Sequence, residues 1–158
     1  NIDLSYYIMQ EWAFNIQAFF QSISIVLFFI FFIEPSIILN IFLCPLPLIN
    51  FLLVMLWLPS IICILGARFQ DLYQLVPIVL QLSFLVTPIL YYKKSLGNLQ
   101  FLSTTNPFYQ IISPLRQSLL TGEIMIQRDL IILLLNIIFL ILSWYLIKKS
   151  RAEINFLI

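Results

Sequence analysis

The sequence predicts an all-α integral membrane protein, with four transmembrane helices and a re-entrant pair of short helices between the last two. Three observations carry this. Of the 158 residues, 62% are hydrophobic and 9% charged, against about 25% charged in ordinary soluble domains. A water-soluble fold of this size cannot bury so much apolar surface. Next, the segments 12–33, 45–65, 72–92 and 130–147 are almost free of charge, and each approaches the roughly 20 apolar residues that a helix needs to cross the hydrocarbon core. Finally, the stretch 93–129 is too long and too apolar to be a plain connection.

Composition also excludes several activities. There is no histidine, and the net charge of +1 offers no basic field for nucleic acid. The three glycines, Gly66, Gly97 and Gly122, form no phosphate loop of the type GxxxxGK[ST]. ATP-driven work would have to be powered by another chain. Cys44 and Cys63 sit in apolar runs, where packing is the ordinary role of a thiol. Two lone thiols make neither a disulfide framework nor a metal site. No catalytic residue, cofactor or metal is expected. The chain starts at Asn1 without a signal-peptide pattern and reads as a fragment or a processed chain.

The first span is polar on one side. At 100° per residue, Gln10, Gln17, Gln21 and Ser24 fall on one stripe, and Trp12, Ile16, Phe19, Phe20 and Ile23 fall opposite. Amides facing lipid are costly, so the stripe should turn inward or lie at the interface. It reads as the wall of a polar pathway, as helix–helix hydrogen bonding, or as an interfacial half-helix. Glu34-Pro35-Ser36 ends this span. Pro45 and Pro47 mark a turn or the first helical positions of the second span. Pro59, Pro77 and Pro88 lie inside spans. Each frees a backbone carbonyl that neighbouring helices or water must satisfy. Arg68 to Asp71 forms the polar turn before the third span, with Arg68 and Asp71 spaced to pair.

Within 93–129, two helix starts occur in tandem. Asn106 can cap a helix beginning at Pro107, and Ser113 one beginning at Pro114, with Gly122 placed to end the second. Neither is long enough to span a membrane. The pair therefore reads as a re-entrant hairpin over 106–122, or as amphipathic helices lying on the surface. Arg116 lies within the second helix and faces water, finds a partner or snorkels. Tyr91, Tyr92, Phe108 and Tyr109 form an aromatic cluster near one membrane edge. They suit an interface belt or a stacking surface for sugars. The fourth span closes on Lys148, Lys149 and Arg151.

The run Ala67-Arg68-Phe69-Gln70-Asp71, then Gln74-Leu75-Val76, Thr87-Pro88-Ile89, Asn106-Pro107-Phe108, and Arg116 with Leu119-Leu120-Thr121-Gly122, resembles the permease subunit of polysaccharide-export ABC transporters. That family carries O-antigen, capsular polysaccharide or teichoic acid across the bacterial plasma membrane. The resemblance implies the C-terminal part of a six-span permease that begins near the third span. It implies a homodimer, an ABC ATPase docked on the cytoplasmic side, a lipid-linked polysaccharide as substrate, and membrane lipids around it. On this reading Asn106, Pro107, Ser113, Pro114, Arg116 and Gly122 belong to an outer gate. Gln17, Gln21, Ser24, Tyr91, Tyr92, Phe108 and Tyr109 line the substrate pathway. Arg68 and Asp71 belong to a cytoplasmic turn. Gln70 departs from the family, which usually carries a second arginine there. A type-2 ABC permease for drugs or lipids and a non-transporting membrane assembly subunit are the alternatives. Charge does not orient the chain. Arg68, Lys148, Lys149 and Arg151 fall on one side, and Lys93, Lys94, Arg116 and Arg128 on the other.

Overall fold

The computed structural model describes residues 4–87, 101 and 105–154. Within them the helices are α1 (Leu4–Ile33), α2 (Ser36–Leu39), α3 (Pro45–Arg68), α4 (Leu72–Val86), α5 (Pro107–Thr121) and α6 (Ile126–Ile154). A 3₁₀ turn over Asn40–Leu43 joins α2 to α3. No strand occurs among the described residues. Three helices are long and apolar enough to cross a membrane, over Ser5–Ile33, Pro45–Arg68 and Ile126–Ser150.

Helix starts and stops follow local chemistry. Pro45 begins α3 at a position whose N–H would be unbonded in any case. The 30 residues of α1 span about 45 Å, more than the roughly 30 Å hydrocarbon core. It starts well before the apolar run that begins at Trp12. The 15 residues of α4 span about 22 Å. The rest of the third apolar segment, 88–92, lies outside the described residues.

One expectation is corrected. Ser113 and Pro114 do not begin a second short helix, because α5 runs unbroken through Pro114. An interior proline loses one backbone bond and crowds the preceding turn, at a cost of about 3 kcal/mol. Here Pro114, Leu115 and Ser118 form the buried face of α5, which docks on the 3₁₀ turn and α3. That burial offsets the cost and keeps the helix continuous.

The core of the bundle is the contact between α3 and α6. Its registration is unusual in chemistry. The buried positions of α6 include Asp129, Asn136, Ser143 and Ser150, recurring at every seventh residue. The buried positions of α3 are Pro47, Asn50, Val54 and Ser60. A repeat of seven is the spacing of left-handed helix packing, and small or polar side chains let two helices approach closely in lipid. Asn50 Nδ2 donates to the Asp129 carbonyl at 2.9 Å. Asn136 Nδ2 donates to the Asn50 carbonyl at 3.2 Å and lies 3.3 Å from its Oδ1. Trp57 Nε1 donates to Asn136 Oδ1 at 2.9 Å, and the Trp57 ring stacks on Phe139 with centroids 4.6 Å apart.

These pairings fix direction. Residues later in α3 meet residues later in α6, so the two helices run parallel. α1 runs against α3. Trp12 Nε1 donates to the Leu52 carbonyl at 3.3 Å, Phe19 packs on Phe51 at 5.1 Å, and Tyr7 shares a crevice with Cys63. α1 approaches the bundle through Ser5, Ile8, Trp12, Ile16, Phe19, Ile23, Leu27 and Ile30, its less exposed positions.

Asn136→Ala should destabilise the detergent-purified protein by about 1–2 kcal/mol, because it removes an acceptor from Trp57 and donors from Asn50. Thermal unfolding checks this against Ile137→Ala, an exposed neighbour expected to change stability by less than about 0.5 kcal/mol. Equal losses at the two positions would contradict the buried polar joint.

Candidate functional site

Two features at one end of the bundle bring polar side chains together: a latch that holds α5, and a cleft that α5 lines. The latch begins at Asn106. Its Oδ1 accepts the Phe108 N–H at 3.0 Å, capping α5. Its Nδ2 donates to the Ser83 carbonyl and to Thr87 Oγ1, each at 2.9 Å. Thr87 Oγ1 in turn donates to the Ser83 carbonyl at 2.7 Å. One asparagine thus closes the start of α5 and the end of α4 together, and it is buried in doing so.

At the far end of α5, Gly122 takes the left-handed conformation, with φ at 70°, and its N–H donates to the Ser118 carbonyl at 3.2 Å. A Cβ at Gly122 would lie 3.0 Å from Asn40 Oδ1. Asn40 Nδ2 donates to the Leu119 carbonyl at 3.0 Å, satisfying an acceptor that the helix end leaves over. Ser118 is fully buried and donates to the Leu115 carbonyl at 3.1 Å. Cys44 Sγ lies 3.3 Å from Ser118 Oγ and 3.2 Å from the Asn40 carbonyl. Its single proton serves one of them at a time.

On the other side of α5, a cleft of about 460 Å³ is lined by Tyr109, Gln110, Ser113, Arg116, Gln117 and Arg128, among others. Arg128 comes from the first turn of α6. Gln117 Nε2 also donates to Glu123 Oε2 at 3.2 Å. The cleft therefore carries guanidinium, amide and hydroxyl groups, a donor-rich set.

The expected site residues divide accordingly. Asn106, Pro107, Pro114 and Gly122 build the latch and frame α5. Ser113 and Arg116 line the cleft with Tyr109. Phe108 is half-buried beside the capping asparagine. Ser113 has no capping role, since it lies inside the helix. Gln17, Gln21 and Ser24 are exposed on α1, away from α3. Ser24 Oγ turns back onto the Phe20 carbonyl at 2.6 Å. The stripe is therefore not used for packing inside one chain. Arg68 ends α3 and Asp71 precedes α4, both exposed, and Asp71 makes no side-chain cap. Tyr91 and Tyr92 lie outside the described residues.

Sequence reasoning missed the polar joint of Asn50, Trp57, Asp129 and Asn136. A signal existed, since an amide inside an apolar span is expensive unless bonded to another helix. It also missed Asn40 and Arg128. Arg128 Nε and Asp129 Oδ1 are buried and have no hydrogen-bond partner among the described residues.

Among known protein families, the model described as ABC-2 type transporter matches residues 3–120, more than half of the 158-residue chain. No curated protein and no solved structure matches the chain.

Gly122→Ala should loosen the end of α5, because the left-handed conformation costs a side chain about 1–2 kcal/mol and the new methyl meets Asn40. Amide exchange at Leu119 to Thr121 should accelerate about tenfold, with exchange at the centre of α6 unchanged. Unaltered protection at those residues would show that the cap does not hold the helix end.

Proposed function

Because the chain belongs to the ABC-2 type transporter family, and so is a multi-pass membrane subunit served by an ABC ATPase, we propose that it is the permease of a transporter that exports lipid-linked polysaccharide across the bacterial plasma membrane. The observation that carries this beyond the family is the outward face of α1. Gln17, Gln21 and Ser24 are exposed on a membrane-length helix, where contact with hydrocarbon is unfavourable. A second copy of the chain, facing the first across a polar route, relieves that cost. Neutral amides and hydroxyls suit a hydroxyl-rich chain in transit, since they exchange hydrogen bonds without binding ions.

The four-span reading draws support from helix direction. α3 and α6 are parallel and both of membrane length, so the chain between them must return across the bilayer. α4 starts that return at the Arg68 end. After about 22 Å its C-cap is bonded to Asn106, whereas the 24 residues of α3 cover about 36 Å. α5 then ends beside Asn40, near the start of α3. A helix that begins at depth and rises to one surface is the geometry of the ascending half of a re-entrant gate. Arg116 lies on its cleft side, and Arg68 and Asp71 lie in the turn at the opposite, cytoplasmic end. A cargo of drugs or simple lipids is the reading to set against this one, and an ATPase encoded without sugar-transfer enzymes beside it would favour that alternative.

Topology and gating are both testable in a background lacking Cys44 and Cys63. A cysteine replacing Glu123 should react with an impermeant thiol reagent from outside the cell, and one replacing Lys149 should not. The reverse pattern would overturn the orientation. In the complete transporter, Arg116→Ala should lower polysaccharide export several-fold without loss of membrane insertion, and Arg116→Lys should restore it in part, since lysine keeps the charge without the planar fork of donors. Normal export by Arg116→Ala would remove Arg116 from the gate.

A further inference from the structure

We infer that the cleft between α5 and the first turn of α6 is a binding site for the phosphate group of an anionic membrane lipid, with Arg128 and Arg116 as its cationic ligands. The inference does not depend on which cargo the transporter carries.

Charge gives the sign of the ligand. Arg116 and Arg128 both line the cleft, together with the hydroxyls of Tyr109 and Ser113 and the amides of Gln110 and Gln117, and the lining contains no carboxylate. Glu123, outside the lining, accepts from Gln117 Nε2. Asp129, next to Arg128, is buried toward α3 and is not part of the lining. A guanidinium has five N–H donors and no acceptor. Arg128 Nε is buried with no hydrogen-bond partner among the described residues, a donor whose desolvation is uncompensated.

The backbone adds to the same field. The first bond of the α6 ladder runs from the Asp129 N–H to the Met125 carbonyl. The N–H groups of Ile126, Gln127 and Arg128 precede that bond and lie at the positive end of the helix dipole. A cation in that turn is unfavourable, and the one carboxylate of the turn, Asp129, is buried outside the cleft, so the lining itself supplies no negative charge to match Arg128 and the second guanidinium, Arg116. Phosphate oxygens match both requirements, because they accept several hydrogen bonds at once and pair with a guanidinium through two parallel ones.

Position gives the source of the phosphate. Arg128 lies at the start of a helix that is long enough to cross the bilayer from Ile126 to Ser150. It therefore sits at the boundary of the hydrocarbon core, where lipid headgroups lie. Leu120 borders the cleft, and Ile131, one turn further into α6 from Arg128, is exposed. That apolar track continues from the cationic cleft into the membrane and suits acyl chains, which a soluble anion does not have. The volume, about 460 Å³, is in the range of small-molecule sites and accommodates a headgroup.

The test uses the full transporter purified in mild detergent and delipidated, with lipid retention read by native mass spectrometry. Dioctanoyl phosphatidylglycerol should bind with an affinity at least about tenfold above dioctanoylglycerol, which lacks the phosphate, and above inorganic phosphate. Arg128→Gln and Arg116→Gln should each lower the phosphatidylglycerol affinity about tenfold, Arg128→Lys should lower it less, and Lys149→Gln, at the other end of α6, should leave it unchanged. Circular dichroism of each variant guards against a folding defect, and Arg128→Lys supplies a conservative variant if the glutamine does not fold. Equal binding of phosphatidylglycerol and dioctanoylglycerol, or wild-type affinity in both arginine variants, would overturn the site. Inorganic phosphate binding as tightly as the lipid would overturn the lipid assignment. Export is not a readout here, so failure of this site and failure of the proposed cargo are distinguishable.

Discussion

The rest of the structure depends on the hydrogen-bonded joint between Asn50, Trp57 and Asn136. In water, two helices are held together by removing apolar surface from solvent. In a bilayer that drive vanishes, because lipid tails are as apolar as leucine, and close packing and interhelical hydrogen bonds must serve instead. α3 and α6 use both. Asn136 accepts from Trp57 and donates to Asn50, while Ser60 and Ser143 allow close approach along the same seam. Each such bond contributes only about 0.6–1.7 kcal/mol. Their value lies in register, since an amide slid by one residue would face hydrocarbon without a partner. The register in turn makes α3 and α6 parallel.

α5 is held differently. Its attachment comes from side chains that meet backbone at its two ends: Asn106 at the start, and Asn40 and Gly122 at the finish. Between them only Pro114, Leu115 and Ser118 are buried. Arg116 on α5 and Arg128 on α6 border the same cleft, so a movement of α5 changes the distance between them and reshapes it.

Much of this was legible from residues alone, and the boundary between what was and what was not has a physical cause. Apolar runs located α1, α3 and α6, because membrane length depends on composition and needs no tertiary information. Asn106-Pro107 and Gly122 located the ends of α5, because caps are local chemistry. The inward face of α6 was hidden. Reading a helix by its apolar side assumes water outside, and here the polar residues Asp129, Asn136, Ser143 and Ser150 are the buried ones. The same inversion explains α1, whose apolar face packs on α3 while its amide stripe points away. Ser113-Pro114 misled for another reason. A cap sequence states what a helix start needs, but burial of Pro114 against the 3₁₀ turn outweighs the break it would otherwise make.

The two polar surfaces that remain outside the core differ in kind, and the difference follows from what each can afford to bind. The α1 stripe consists of neutral amides and a hydroxyl along the length of a membrane helix. Its hydrogen bonds are individually weak and interchangeable, so a partner can slide along it with little change in free energy. The α5–α6 cleft concentrates two guanidinium groups at the end of the bundle, beside the positive end of a helix dipole. Charge-assisted bonds there are roughly twice as strong as neutral ones, and the adjoining apolar surface adds to them. A surface of the first kind favours passage, and one of the second kind favours residence. A protein that carries both can hold one group at its edge while leaving the face of α1 free for another.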